Sequence, residues 1–155
     1  MHRPSWDEYF FEVMEAVAKR ATCDRGKSGC VVVRDKRILT TGYVGAPAGM
    51  PHCDEVGHKL ITIKHPDGTE SEHCVRTIHA EQNAVIQAAF HGISLRGATL
   101  YCKMTPCAVC AGFIVGAGII EVKCLQKYKL PEEGEEILAN AGVKISYVSE
   151  EVVKY

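Results

Sequence analysis

Ala98-Thr-Leu-Tyr-Cys-Lys-Met104, Cys107-Ala-Val-Cys-Ala-Gly-Phe-Ile-Val-Gly-Ala117 and Ile119-Ile-Glu-Val-Lys-Cys-Leu-Gln126 follow one another with only Thr105-Pro106 and Gly118 between them. The outer two are apolar runs of strand length, and the segment between them has helix length and opens directly after a proline. Downstream, Pro131 to Ala141 reads as a helix opened by proline and acidic residues, and Val143 to Val148 as a further strand. Upstream, His79 to His91 reads as a helix that Gly92 stops. Strands alternating with helices predict an α/β layered domain with a partly parallel sheet. Cys30 to Arg34 and Arg37 to Tyr43 read as a hairpin around Asp35-Lys36, which makes that sheet mixed.

Nearer the N-terminus, Ser5-Trp-Asp-Glu8 is a capping box. Trp6, Tyr9, Phe10, Val13, Met14, Val17 and Ala21 then recur at helical spacing, predicting a first helix to about Ala21. Gly42 to His58, rich in glycine and proline, is expected to be an irregular loop. Leu60 to Glu72 is expected to form a small surface hairpin turning at His65-Pro-Asp-Gly68.

With 46% hydrophobic and 24% charged residues, the 155-residue chain has the balance of a folded soluble protein. Its length is that of one domain, expected to span 1–155. Eighteen Lys plus Arg against 19 Asp plus Glu leave a net charge of -1. That balance argues against a general binder of nucleic acid or anionic membranes. No run approaches the ~20 apolar residues of a membrane span. Met1 to Glu8 is polar and acidic, unlike a signal or transit peptide, so a cytoplasmic location is expected. In such a reducing compartment, eight cysteines read as metal ligands, catalytic thiols or core residues. Cys30, Cys102 and Cys124 fall in apolar strand-like runs and are assigned to the core.

The chemistry concentrates in His79-Ala-Glu81 and Pro106-Cys-Ala-Val-Cys110, both at the start of predicted helices. Cysteines three apart at a helix start share a face, so Cys107 and Cys110 can grip one ion. His79 supplies a third ligand and leaves the fourth tetrahedral position for water, the arrangement of catalytic zinc. Glu81, two residues beyond, can reach that water without occupying the ion. Helix N-termini favour the anionic thiolates.

This H-x-E…P-C-x-x-C order is the signature of zinc nucleobase deaminases. Over nearly its whole length the sequence resembles the deoxycytidylate (dCMP) deaminase family of the cytidine deaminase superfamily. Arg76-Thr-Ile-His-Ala-Glu-Gln-Asn-Ala84 and Thr105-Pro-Cys-Ala-Val-Cys110 match the family's core; Ser5-Trp-Asp-Glu-Tyr-Phe10 and Gly42-Tyr-Val-Gly-Ala-Pro47 match its flanks. The resemblance implies a three-layer α/β/α fold with a five-stranded mixed sheet, a homo-oligomer (dimer or hexamer), and zinc-dependent hydrolysis of dCMP to dUMP and ammonia. Glu81 is then the catalytic acid/base, and His79, Cys107 and Cys110 the metal ligands. In many members dCTP and dTTP regulate the activity.

Some members also carry a structural zinc near the first helix end. Cys23 and Cys53 match its two cysteine positions here, with Cys74 and His58 as the expected partners. His73 competes, but in an extended chain it points away from Cys74. Free cysteines beside a loop are the alternative. Val44, Ala80 and Tyr128 are the candidate substrate contacts, and Arg25, Lys27, Arg76 and Lys103 the candidates to meet a 5′-phosphate. Gly42-Tyr-Val44-Gly45 departs from the family's Gly-Tyr-Asn-Gly, replacing an amide that bonds the sugar with a side chain that bonds nothing. The loop therefore reads as retuned away from dCMP as best substrate. Two rival functions remain: a deaminase of another nucleoside or base, and a non-catalytic zinc-binding accessory protein of the DNA-uptake type. A polynucleotide substrate fits the near-neutral charge poorly.

Overall fold

The computed structural model describes residues 1–128, 132–149 and 152–153. In chain order the elements are α1 (Trp6–Ala18), β1 (Gly29–Arg34), β2 (Arg37–Tyr43), α2 (Cys53–Val56), β3 (Leu60–Lys64), β4 (Glu70–Cys74), α3 (Ala80–His91), β5 (Thr99–Met104), α4 (Ala108–Gly116), β6 (Glu121–Tyr128), α5 (Glu132–Asn140), β7 (Lys144–Tyr147) and β8 (Val152–Val153). The main sheet runs β2-β1-β5-β6-β7. β1 is antiparallel to β2 and β5, whereas β5, β6 and β7 are parallel. This is the expected mixed five-stranded sheet, with the short β8 added alongside the end of β6.

Alternation along β1 builds the three layers. Val31 and Val33 face one side with Phe10, Phe11 and Met14 of α1. Cys30 and Val32 face the other, with Ala80, Ala84 and Ala88 of α3, Ile114 of α4 and Leu138 of α5. Side chains as fully buried as Ile114 and Leu138 each contribute ~1.5–3 kcal/mol. The sheet hydrogen bonds are thus covered by apolar layers on both faces. Cys30, Cys102 and Cys124 stand in register across β1, β5 and β6, each wholly buried, as assigned.

Two glycines allow the helices this close. A Cβ on Gly29 would lie 2.5 Å from the Met14 carbonyl oxygen of α1. One on Gly42 would lie 2.5 Å from the Ala84 nitrogen of α3, on the opposite face. Asp7 adds a polar tie for α1: Tyr101 OH donates to its carboxylate at 2.6 Å and Lys123 Nζ at 2.9 Å.

The Ser5–Glu8 capping box forms as read, with Glu8 N–H donating to Ser5 Oγ at 3.2 Å and Ser5 N–H to Glu8 Oε2 at 2.6 Å. Asp35 and Lys36 both have positive φ, 52° and 59°, as a tight hairpin turn requires. β6 lies two residues later than the expected Ile119–Gln126, and three further differences from expectation bear on the site. α1 stops at Ala18, because turn hydrogen bonds at Arg20 and Ala21 replace helical ones. The Gly42–His58 loop contains α2, a single turn too short for periodicity to reveal. The surface hairpin extends to Cys74, placing that residue at its base opposite Leu60. In the predicted last helix Pro131 lies outside the described residues. No helix among the described residues is long and apolar enough to cross a membrane.

Candidate active site and metal clusters

β2 and β5 run in the same direction, both antiparallel to β1, and α3 and α4 begin at their carboxyl ends. The N-cap of α3 is His79 and that of α4 is Cys107, so both candidate ligands occupy cap positions rather than the first helical turn. His79 N–H donates to Gln82 Oε1 at 2.9 Å, which fixes the cap backbone. Cys107 Sγ accepts from Cys110 N–H at 3.4 Å. These local bonds orient the side chains before any ion arrives.

His79 Nδ1 lies 3.2 Å from Cys110 Sγ and 3.6 Å from Cys107 Sγ. Zinc bond lengths to sulfur and nitrogen give a tetrahedral N···S edge of about 3.6 Å, so the donor set fits that ion. Three donors converge, and Cys110 is buried while His79 is exposed, so the cluster opens outward on the histidine side. Glu81 is 8% exposed, and its Oε2 lies 3.7 Å from Cys110 Sγ. It therefore borders the cluster without joining the ligand set.

The electrostatics agree with a cation site. A hydrogen bond from Cys110 holds the Cys107 thiol down at about 4, against the opposing cost of burial. Cys110 is pushed the other way by that same hydrogen bond and by burial, so the bare pair shares a single thiolate. A divalent cation would let both ionise. The hydrogen bond to Cys107 raises the pKa of His79. Burial pushes Glu81 above the usual carboxylate range.

The second cluster assembles from four segments. Cys23 follows α1, Cys53 opens α2, His58 follows it, and Cys74 ends β4. Their ligand atoms all lie within 4.8 Å of one another. Cys53 Sγ is 3.5 Å from Cys74 Sγ, and Cys23 Sγ is 3.5 Å from His58 Nδ1. Burial opposes the Cys74 thiolate, yet backbone hydrogen bonds from Lys59 and Arg76 bring its pKa down to about 6. Burial and the neighbouring thiols push Cys53 up to about 12. Three sulfurs and one imidazole form a closed Cys₃His set with no position left for water, the pattern of structural zinc. His58 Nε2 meets Asp24 Oδ1 at 2.9 Å, the carboxylate–histidine pairing that orients a metal ligand. His73 turns away, as expected, and hydrogen-bonds Ser71 Oγ at 2.8 Å.

Backbone bonds connect the two clusters. Thr22 N–H donates to the Val44 carbonyl at 3.0 Å, and Asp54 N–H to the Thr22 carbonyl at 3.2 Å. Gly45 pairs with Ile78, next to His79. Val44 is half-buried and packs on the cluster that contains Ala80 and Ala84. Ala80 is wholly buried, backbone included, so it offers no free surface to a ligand in this structure. Tyr128 ends β6 half-buried, its N–H donating to Thr105 Oγ1 at 3.1 Å. Among the phosphate candidates, Arg76 Nε donates to the Gly57 carbonyl at 3.0 Å, Lys103 Nζ to that of Lys27 at 3.4 Å, and Arg25 approaches Glu72. A concavity of about 470 Å³ lined by Arg3, Trp6, Tyr9, Lys36 and Ile38 touches neither cluster.

Sequence reasoning missed Asp24, Gln82 and Thr105. Asp24 had a signal, a carboxylate beside a candidate ligand cysteine. Gln82 had one too, at the third position after the cap. Thr105 had none.

Residues 4–126 match the family described as the cytidine and deoxycytidylate deaminase zinc-binding region. The chain is 38% identical over 148 residues to the ComE operon protein 2 of Bacillus subtilis, covering 96% of this chain and 74% of that one. It is 37% identical to the deoxycytidylate deaminase of Saccharomyces cerevisiae over 95% of its own length but only 46% of that protein. A crystal structure of dCMP deaminase from cyanophage S-TIM5, in complex with dCMP and dUMP, superposes with a TM-score of 0.75 at 27% identity. That match covers 96% of this chain and all of the other.

Proposed function

We propose, on the premise that this chain belongs to the cytidine and deoxycytidylate deaminase family, that it removes the exocyclic amine of a free pyrimidine nucleotide, converting dCMP and water to dUMP and ammonia. Glu81 carries this reading: a buried carboxylate bordering three metal-ligand atoms. A closed structural site has no use for it, which weighs against a non-catalytic accessory role.

His79, Cys107 and Cys110 would hold zinc, which supplies a Lewis acid able to bring the pKa of water toward ~7. Glu81 takes the proton of the water that attacks C4 and passes it to N3 of the ring. It then moves the second water proton to the departing amine, which leaves as ammonia. Burial raises the pKa of Glu81 above its ordinary value, which favours a carboxyl that both accepts and donates a proton. The N-termini of α3 and α4 stabilise the thiolates that face them. Cys23, Cys53, His58 and Cys74 would hold a second, structural zinc, which would tie α2 to the base of the β3–β4 hairpin.

Residues 1–155 act as one deaminase domain in the cytoplasm, which suits eight cysteines that form no disulfide. A homo-oligomer is supported by α4, an apolar helix whose Val109 and Phe113 are 60% and 40% exposed.

A second reading concerns the substrate. Val44 packs on an apolar cluster where the resemblance leads one to expect an amide, and on that reading a different pyrimidine nucleotide would be the better substrate. Ammonia release from a panel of nucleotides, nucleosides and bases, by wild type and Val44→Asn together, decides between the two. If dCMP is the native substrate, asparagine raises kcat/KM for it by up to about tenfold, one hydrogen bond's worth. If the loop is retuned, the substitution is neutral or harmful toward dCMP and weakens the preferred substrate.

A further inference from the structure

The family match ends at residue 126, yet α5 and β7 beyond it press on the two residues that lead into the Cys107–Cys110 turn. Thr105 is 6% exposed and precedes Pro106-Cys107. Its Oγ1 accepts the Tyr128 N–H at 3.1 Å and lies 3.0 Å from Tyr147 OH. The Tyr147 hydroxyl donates its only hydrogen to Glu135 of α5, so the Thr105 hydroxyl must donate to Tyr147. Lys127 completes the chain, 3.5 Å from the Glu135 carboxylate and 5.5 Å from the Tyr147 ring centroid. Every hydrogen in this half-buried relay therefore has one direction, the condition under which such bonds reinforce one another. Burial and the Glu135 contact keep the Tyr147 phenol protonated, as the relay requires.

Gly134, beside Glu135, closes on the same peptide from another side. A Cβ there would overlap the Pro106 carbonyl oxygen and lie 3.2 Å from its carbon. A residue with any side chain would push α5 off the loop or the loop toward the metal ligands.

We propose that Tyr147, Glu135 and Gly134 are positioning residues: through Thr105 and Pro106, the α5–β7 unit clamps the start of α4 and so sets Cys107 against His79. This rests on the reading that His79, Cys107 and Cys110 hold a metal ion. None of Tyr147, Glu135 and Gly134 belongs to the His79–Cys107–Cys110 donor set, and none belongs to the second cluster.

Zinc release to a chromophoric chelator from the zinc-loaded full chain tests it. Cys107→Ser identifies which release phase belongs to the first cluster, and the Cys23–Cys53–His58–Cys74 phase is the internal control. Tyr147→Phe and Thr105→Val should each speed release from the first cluster at least about tenfold, as loss of outer support for ligands does. The double variant should be no faster than either single one, Thr105→Ser should behave as wild type, and kcat should fall with KM little changed. Gly134→Ala should act in the same direction. Should Tyr147→Phe fail to fold, the contrast between Thr105→Ser and Thr105→Val gives the same answer. Wild-type release rates in folded variants, or equal acceleration at both clusters, would overturn the clamp alone. A wild type that holds no ion at the first cluster would overturn the metal reading and the clamp with it.

Discussion

Gly42 of β2 packs its backbone directly on the Ala80 carbonyl of α3, leaving no space for a side chain between strand and helix. Ala80 lies between His79 and Glu81, so this contact sets the height of the α3 N-terminus above the sheet. Gly42→Ala would drive a methyl group into the Ala80 and Ala84 backbone. Overpacking of this kind costs ~1–3 kcal/mol. The expected outcome is a lower midpoint of denaturant unfolding together with reduced kcat, because His79 and Glu81 move with the helix. A variant with wild-type stability would show that the helix can lift without cost.

Asp7 makes α1 docking acid-sensitive. Its partial burial opposes ionisation, but hydrogen bonds from Tyr101 and Lys123 outweigh it and hold the carboxyl below its ordinary 3.8. A depressed native pKa stabilises the fold above the unfolded value, and that contribution disappears as pH falls below it. Asp7→Asn should therefore be less stable than wild type at neutral pH, with the difference shrinking below about pH 4. Thermal melts across pH 2.5–7 check this; a constant difference would contradict it.

The second cluster is expected to hold its own ion. Cys23→Ser/Cys53→Ser should lower the zinc content by one equivalent per chain, leave the ion at His79 in place, and loosen the Gly42–His58 loop. Unchanged zinc stoichiometry would show that the four residues gather without binding metal.

Much of this site is legible in the sequence because local spacing carries it. His79-Ala-Glu81 and Cys107-Ala-Val-Cys110 each place their ligands within one cap and one turn, so only their meeting needed the fold. The Ser5 cap and the Asp35-Lys36 turn are local in the same way. Contacts between distant segments are not legible: Thr105 and Tyr147 stand 42 positions apart, and neither residue type announces the other. Gly134 reads in sequence as a weak spot in a helix, and only its contact with Pro106 explains it. The single turn α2 and the two-residue β8 are too short for periodicity to reveal. Cys74 is already a candidate from sequence, but its position at the hairpin base is not: the hairpin runs two residues past Glu72, to the pair Leu60–Cys74.

Ammonia release from dCMP by zinc-loaded wild type and Glu81→Gln, with metal content measured on the same samples, tests the central claim most directly. The amide keeps the shape and burial of Glu81 but cannot carry a proton between water, ring nitrogen and amine. The account predicts unchanged zinc and a rate lower by at least ~10²–10⁴-fold, the usual loss when a positioned acid/base is removed. A fully zinc-loaded Glu81→Gln protein that turns over near the wild-type rate would contradict it.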